Sequence, residues 1–255
     1  MTKQLNYLTN YIGGKSGLRK TLAQYIPEDI GSYIEVFGGG AWLLFYREKW
    51  ANLEVYNDLD KNLYNLFNVI KFHPEAFIKE FRFMLNSRDI FNDMKDFAPV
   101  TDIQKAAKFF YLLQRSYGAK KGVFATARNG ESSGGKSQCG IIERVAKCAL
   151  RLDKVYIENL DFEELIRRYD IENAFFYLDP PYTKGAGYDI VSTKKFEHER
   201  LKNTLLEIKG RFMLSYDDSP EIRKMYKDFN IRGAERKNNL SAKNAKYKEV
   251  IITNY

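Results

Sequence analysis

Ser32-Tyr33-Ile34-Glu35-Val36-Phe37-Gly38-Gly39-Gly40 reads as a short β-like run, Ser32 to Phe37, running directly into three glycines. A β-like run bounded by a glycine cluster is a strand-end signal. Glycine there lets the backbone approach a ligand that a side chain would hold off. A helical stretch from Ala41 to Trp50 is expected next, then a second strand, Leu53 to Tyr56, ending in Asn57-Asp58, and a helix over about Lys61 to Lys71. Strand–helix–strand–helix order with such short connections predicts a parallel α/β unit. On the amino-terminal side, the loop Asn10-Tyr11-Ile12-Gly13-Gly14-Lys15 leads into a helix from Leu18 to Ile26 that Pro27 ends.

The glycine loop excludes one class of cofactor. A dinucleotide fingerprint requires a further glycine at position 43, where Leu43 stands, so a nicotinamide or flavin dehydrogenase is disfavoured. Asp58 lies 20 residues beyond Gly38, at the end of the next strand. In doubly wound folds an acid at that place accepts hydrogen bonds from the ribose hydroxyls. The alternative is a plain tight turn with Asp58 as a helix N-cap.

From Pro74 to about Leu150 the rhythm changes. Helical periodicity predicts segments at 75–85, 102–117 and 141–151, with a polar loop from Gly118 to Gly140 and no convincing strand. The α/β alternation resumes with a strand at 154–157, a helix from Phe162 to Tyr169 and a strand from Ala174 to Leu178. A helix near 197–208, a strand at 211–216, a helix at 220–226 and a terminal strand near Glu249 to Thr253 complete it. The expected organisation is one α/β domain, residues 1–71 and 152–255, interrupted by a helical insertion at 72–151.

The strand Ala174 to Leu178 ends in Asp179-Pro180-Pro181-Tyr182, at a carboxyl end, where open α/β sheets bind ligands. Consecutive prolines fix the backbone, so the Pro180 carbonyl has a set direction beside the Asp179 carboxylate. Two adjacent acceptors suit the two hydrogens of an exocyclic amino group, and Tyr182 offers a flat face to an aromatic base.

Composition removes other classes. With 44% hydrophobic and 15% aromatic residues over 255 positions, the chain can bury a core and is not of disordered type. Apolar runs such as Ala41 to Tyr46 are far short of the ~20 residues a membrane helix needs. The amino terminus has no apolar signal core, so a cytoplasmic location is expected. Cys139 and Cys148 form no CxxC pair, and His73 and His198 are isolated, so no metal site is expected. No Pro-Cys pair exists for methylation of a pyrimidine ring carbon.

The set Tyr11-Ile12-Gly13-Gly14-Lys15, Glu35 to Gly40, Asn57-Asp58 and Asp179-Pro180-Pro181-Tyr182 resembles the Dam-like DNA adenine-N6 methyltransferases, in the family's order. Ser215-Tyr216-Asp217-Asp218-Ser219 also looks like the family's later strand-end loop. The resemblance implies a Rossmann-like methyltransferase sheet with an inserted helical target-recognition domain, and S-adenosylmethionine as methyl donor. It implies cofactor contacts from Tyr11, Gly13, Gly14, Lys15, Glu35, Phe37, Gly38, Gly39, Gly40, Asp58 and Asp179. Asp161 and Phe162 resemble the pair flanking the cofactor adenine, although Asp161 is also a good N-cap. Asp179, Pro180, Pro181 and Tyr182 would hold a flipped-out adenine during direct in-line transfer. The same acceptor pair fits a cytosine amino group or RNA, and a DNA-binding homologue without activity is a further alternative.

Charge is distributed unevenly. The net charge is +8, and the segment from Lys105 to Arg151 holds ten Lys or Arg against Glu131 and Glu143. Such a block neutralises phosphates irrespective of sequence. With it, the resemblance implies double-stranded DNA as partner, in a bacterial or phage-infected cell and with no need for an oligomer. A second basic run extends from Arg223 to Lys248. Gln114-Arg115-Ser116-Tyr117-Gly118 resembles the family's Asn-Arg-x-x-Phe-Asn-Gly element, keeping the Arg and lacking the Asn-Gly. Arg115, Tyr117, Lys120, Lys121 and Arg128 are the expected DNA contacts.

Overall fold

A computed structural model describes residues 17–116, 122–125, 137–181, 197–237 and 246–255. Seven strands form one sheet. They are β1 (Ser32–Glu35), β2 (Leu53–Asn57), β3 (Val155–Glu158), β4 (Ala174–Leu178), β5 (Arg211–Asp217), β6 (Asn230–Lys237) and β7 (Lys246–Thr253). Their spatial order is β3-β2-β1-β4-β5-β7-β6. The first five strands pair in parallel, and β7 runs antiparallel to both of its neighbours. This is a Rossmann-like sheet with an antiparallel strand pair at one edge.

Every residue of β1 and β4 is buried, as expected of central parallel strands covered on both faces. Alternation sorts their side chains. Tyr33, Tyr56, Phe175, Tyr177 and Met213 point into one apolar layer, and Ile34, Val55, Phe176, Leu178 and Leu214 into the other. The second layer is closed by α7 (Phe162–Tyr169), α8 (His198–Leu206) and α9 (Pro220–Met225).

The first layer is closed by α1 (Arg19–Tyr25), α2 (Lys61–Phe72), α3 (Pro74–Arg82), α4 (Arg88–Asp96), α5 (Asp102–Arg115) and α6 (Gln138–Leu152). Leu63, Leu66, Phe67 and Ile70 give α2 a single apolar face at helical spacing. A capping box between Thr101 and Gln104 starts α5. Its second half, Phe109 to Arg115, is buried, and the helix packs against α2, α3 and α4. The described residues of 72–151 hold α3 to α6 and an isolated antiparallel bridge between Ser116 and Phe124, and they share their apolar layer with the sheet.

Three expectations need correction. The stretch Ala41 to Trp50 is not a helix; only one 3-10 turn, Leu44–Tyr46, forms. Its backbone polar groups are taken by side chains instead: Leu44 N–H by Glu35, and the carbonyls of Leu44 and Arg47 by Arg151. Helix α4 was not expected, because Phe91 is its only buried residue and Ile90 and Met94, the other apolar positions, stand among charges and are only partly covered. Strand β6 was hidden by charges such as Arg232 and Glu235, exposed side chains of the kind that protect an edge strand. Among the described residues no helix is long and apolar enough to cross a membrane.

Candidate active site at the carboxyl ends of the central strands

The strand order reverses at β1, with β2 on one side and β4 on the other. The turns leaving adjacent parallel strands diverge there and open a crevice. Val36 N–H still bonds the Tyr177 carbonyl at 3.0 Å, so the two strand ends are in register where the turns begin.

Backbone geometry explains the glycines. Gly39 has φ 50°, the left-handed region that glycine adopts without penalty, and Ala41 follows with φ 53°. At Gly38 a Cβ would fall 2.2 Å from Tyr56 Cε2, so no larger residue fits unless that ring moves. Tyr56 is itself fixed, since its hydroxyl donates to the Gly39 carbonyl at 2.8 Å. Gly40 is buried in the same turn.

Asp58 closes this loop from the end of β2. Its Oδ2 accepts the Gly39 N–H and its Oδ1 the Asp60 N–H, both at 2.8 Å. The N-cap of α2 is Asp60 and not Asp58, because Asp60 Oδ1 accepts the Asn62 N–H. Burial pushes the Asp58 carboxyl up to about 6, against the opposing pull of those two N–H donors. Asn57 staples three strand ends together. Its amide donates to the carbonyls of Val36 and Leu160, and its Oδ1 accepts the Leu160 N–H at 2.8 Å.

Glu35 is 1% exposed. Its Oε1 accepts the Tyr33 hydroxyl at 2.7 Å and the Leu44 N–H at 2.5 Å. Burial raises its carboxyl to about 8, more than those bonds and the Arg151 charge lower it. Arg151 itself is a buried anchor, forming two bonds to Glu54 at 2.7 and 2.8 Å and reaching the carbonyls of Leu44 and Arg47. The main chain at Leu44 is thus held at its N–H by Glu35 and at its carbonyl by Arg151.

Asp179 leaves β4 next to β5, where the Ser215 hydroxyl lies 3.3 Å from Asp179 Oδ1, from the Leu178 carbonyl and from the Tyr177 hydroxyl. Pro180 is buried and Pro181 half-buried. A narrow cleft bordered by Arg19, Glu35, Phe37, Gly38, Trp42, Tyr177 and Asp179 brings the glycine loop and the Asp-Pro-Pro turn onto one surface. A wider, open hollow edged by Asp170, Ile171, Glu172, Asn173 and Lys209 lies at the amino end of β4, at the opposite edge of the sheet from these groups.

After β3, Asp161 caps α7 through the Glu163 N–H at 3.0 Å, and Phe162 is buried with its ring centroid 5.9 Å from that of Phe37. Asn159 ties this turn to Asp58 by donating to its carbonyl at 2.7 Å. Of the expected cofactor residues, Glu35, Phe37, Gly38, Gly39, Gly40, Asp58, Asp161, Phe162 and Asp179 therefore lie along one edge of the sheet. Tyr11, Gly13, Gly14 and Lys15 lie outside the described residues, as do Tyr182, Tyr117, Lys120, Lys121 and Arg128.

Arg115 is a correction. It is 2% exposed and donates to Gln138 Oε1 at 2.8 Å, while Gln138 Nε2 reaches the Phe81 carbonyl at 2.7 Å. The side chain ties α5, α6 and α3 together and is not presented to DNA. Arg151 is likewise internal, and Lys108 caps the end of α4 through the Lys95 and Phe97 carbonyls. The basic block of the sequence is therefore partly interior. Tyr56 and Arg151 carried no motif signal, since each acts through the main chain or through an acid; Asn57 and Ser215 lie in quoted motif stretches, but the motifs did not show these bonds.

Comparison with known proteins adds a family. Residues 11–240 match the family described as D12 class N6 adenine-specific DNA methyltransferase. The chain is 27% identical over 276 residues to the Type II methyltransferase M1.LlaDCHI of Lactococcus lactis subsp. cremoris, covering 98% of this chain and 96% of that one. It is 24% identical over 226 residues to the Type II methyltransferase M.CviBI of Paramecium bursaria Chlorella virus NC1A, covering 86% and 85%. Among solved structures, precorrin 8w decarboxylase of Methanobacterium thermoautotrophicum aligns over 100% of this chain and 98% of that one, at 10% identity and a TM-score of 0.42.

Proposed function

The chain belongs to the D12 class N6 adenine-specific DNA methyltransferases, and from that premise we propose that it methylates the adenine N6 amino group at specific sites in double-stranded DNA, with S-adenosylmethionine as donor and the target base flipped out of the helix. The observation that carries this reading is the single cleft onto which both Glu35 and Asp179 open, from adjacent parallel strands.

The donor set of the cofactor fits the acids at this edge. S-adenosylmethionine carries an ammonium group, a ribose diol and an amino-bearing purine, and Glu35, Asp58 and Asp161 are acceptors at the ends of β1, β2 and β3. Each Asp58 oxygen already takes one backbone N–H, and a carboxylate oxygen has room for a second donor. When bound, the cofactor supplies an electrophilic methyl group on sulfonium.

The chain's own residues do the rest. A paired base cannot present its amino group, and flipping it costs a few kcal/mol, least in a site that accepts it well. Asp179 and the Pro180 carbonyl accept the two amino hydrogens and draw electron density onto a nitrogen whose lone pair is otherwise delocalised into the ring. They also stabilise the positive charge that develops there, a use of fixed acceptors that need no reorganisation. Ser215 holds Asp179 in place from β5. Tyr182 stacks on the base.

The helical segment 72–151 and its connecting loop serve as the DNA recognition element, with Tyr117, Lys120, Lys121 and Arg128 as contacts, and a monomer suffices. The two Type II relatives favour a role in site-specific DNA modification, in a bacterial or phage-infected cell. Nucleoside mass analysis after incubation with S-adenosylmethionine and DNA tests the reading. N6-methyladenine is the expected product; methylcytosine alone, product only with RNA, or DNA binding with no product would each overturn it.

A further inference from the structure

One guanidinium, that of Arg200 on α8, gathers the turn after β3. It bonds Asp161 Oδ1 through Nη2 and sits 2.9 Å from Glu163 Oε2 and 2.5 Å from Glu197 Oε2. Its central carbon lies 4.3 Å from the centroid of the Phe162 ring, a cation–π contact. Glu197 and Arg200 lie at the start of α8, so the contact joins α8 to the turn after β3.

Exposed ion pairs usually contribute little, so three carboxylates around one arginine would by default be a minor surface network. Two observations go further. Phe162 is only 6% exposed, and its ring is in contact with Arg200 as well as with Phe37 of the glycine loop. Both bonds made by Asp161, to the Glu163 N–H and to Arg200, fall on Oδ1, and among the described residues no donor reaches Oδ2. The side chain is 41% exposed, so one oxygen is clamped and the other is left as an acceptor at the end of β3.

We propose that Arg200 is a positioning residue for the purine end of the cofactor: by holding Asp161 through Oδ1 and covering Phe162, it leaves Oδ2 oriented for the purine amino group. This rests on the reading of Asp161 and Phe162 as the pair that flanks the cofactor purine. Arginine suits the task because its planar fork bridges several carboxylates while stacking on a ring, which lysine cannot reproduce.

The test uses the purified full chain with Arg200→Met, Arg200→Lys and Asp161→Ala. Steady-state kinetics give KM for S-adenosylmethionine and kcat, and calorimetry gives the affinities of S-adenosylhomocysteine and of its analogue methylated on the purine amino group. Arg200→Met should raise KM about tenfold, the scale of one charge-assisted hydrogen bond, with kcat little changed. It should also reduce the preference for S-adenosylhomocysteine over the methylated analogue, and Arg200→Lys should recover only part of both effects. If Arg200→Met does not fold, the same two readings on Arg200→Lys decide the matter. Unchanged KM and preference, or an equal loss for both ligands, would overturn the proposal. If Asp161→Ala leaves both affinities intact, the purine-flanking reading itself is wrong; if it weakens them while Arg200→Met does not, only the role of Arg200 falls.

Discussion

Gly39 donates its main-chain N–H to Asp58 Oδ2 at 2.8 Å, and this bond ties the turn after β1 to the end of β2. The neighbouring Gly38 has no room for a side chain, since a Cβ there would meet the Tyr56 ring at 2.2 Å. Gly38→Ala should therefore destabilise the fold by about 1–3 kcal/mol, the usual cost of overpacking. It should weaken S-adenosylmethionine binding more than DNA binding. Chemical unfolding and calorimetry check both, and an unchanged cofactor affinity would separate this turn from the cofactor.

Asp179→Ala should abolish methyl transfer while leaving DNA affinity within about twofold, because phosphate contacts lie elsewhere. Ser215→Ala removes one hydrogen bond to Asp179 and should lower kcat by about tenfold, the scale of about 1–1.5 kcal/mol. Single-turnover methylation with both variants distinguishes the two losses. Full activity in Asp179→Ala would remove it from the chemistry.

The Glu35 carboxyl is raised from 4.5 to about 8 in the folded chain, chiefly by burial. The folded state then holds a proton over a range where the unfolded chain has lost it, so stability is greatest below about pH 4.5 and falls as pH rises toward 8. Asp58 adds a weaker loss of the same sign, between 3.8 and about 6. Glu35→Gln cannot ionise, so its stability relative to the native chain should increase steadily across that window and level off above it. Urea midpoints measured from about pH 5 to 9 test this. A constant difference across the range would mean that Glu35 does not titrate as argued.

The order of elements was legible because the central parallel strands are short runs rich in apolar and aromatic residues that end near glycines or in Asp-Pro-Pro. Ser32 to Gly40 and Phe175 to Pro181 therefore announced both their structure and their edge of the sheet. The stretch after the glycines was misread because helix formation there loses its backbone partners to Glu35 and Arg151, which are remote in sequence. Charge was the least reliable guide. Arg115 and Arg151 count toward the basic block of the sequence yet lie inside the protein, satisfied by Gln138 and by Glu54. Positive charge in a sequence says nothing about which face it occupies.

Arg151 and Glu54 form a buried pair with side-chain exposures of 3% and 5%. Removing one partner strands the other, at a cost of about 3–5 kcal/mol. Arg151→Met should therefore be more destabilising than the double variant Arg151→Met/Glu54→Gln, in which no charge is left unpaired. Denaturant unfolding of the two singles and the double gives the coupling directly. Additive losses would show that the pair acts through packing alone.

The salt dependence of DNA binding separates Lys120 and Lys121 from the interior Arg115. Each phosphate contact contributes about 0.9 to the slope of log affinity against log salt, and its loss weakens binding equally for all sequences. Lys120→Ala combined with Lys121→Ala should flatten that slope by about 2 if both residues touch phosphates. Arg115→Gln should behave differently, because its guanidinium is buried against Gln138: stability should fall, and the slope should stay as it was. Fluorescence titrations of a DNA duplex at several salt concentrations, paired with thermal unfolding, read both effects. A slope that changes with Arg115 and not with the two lysines would place the DNA on the other side of the helical layer.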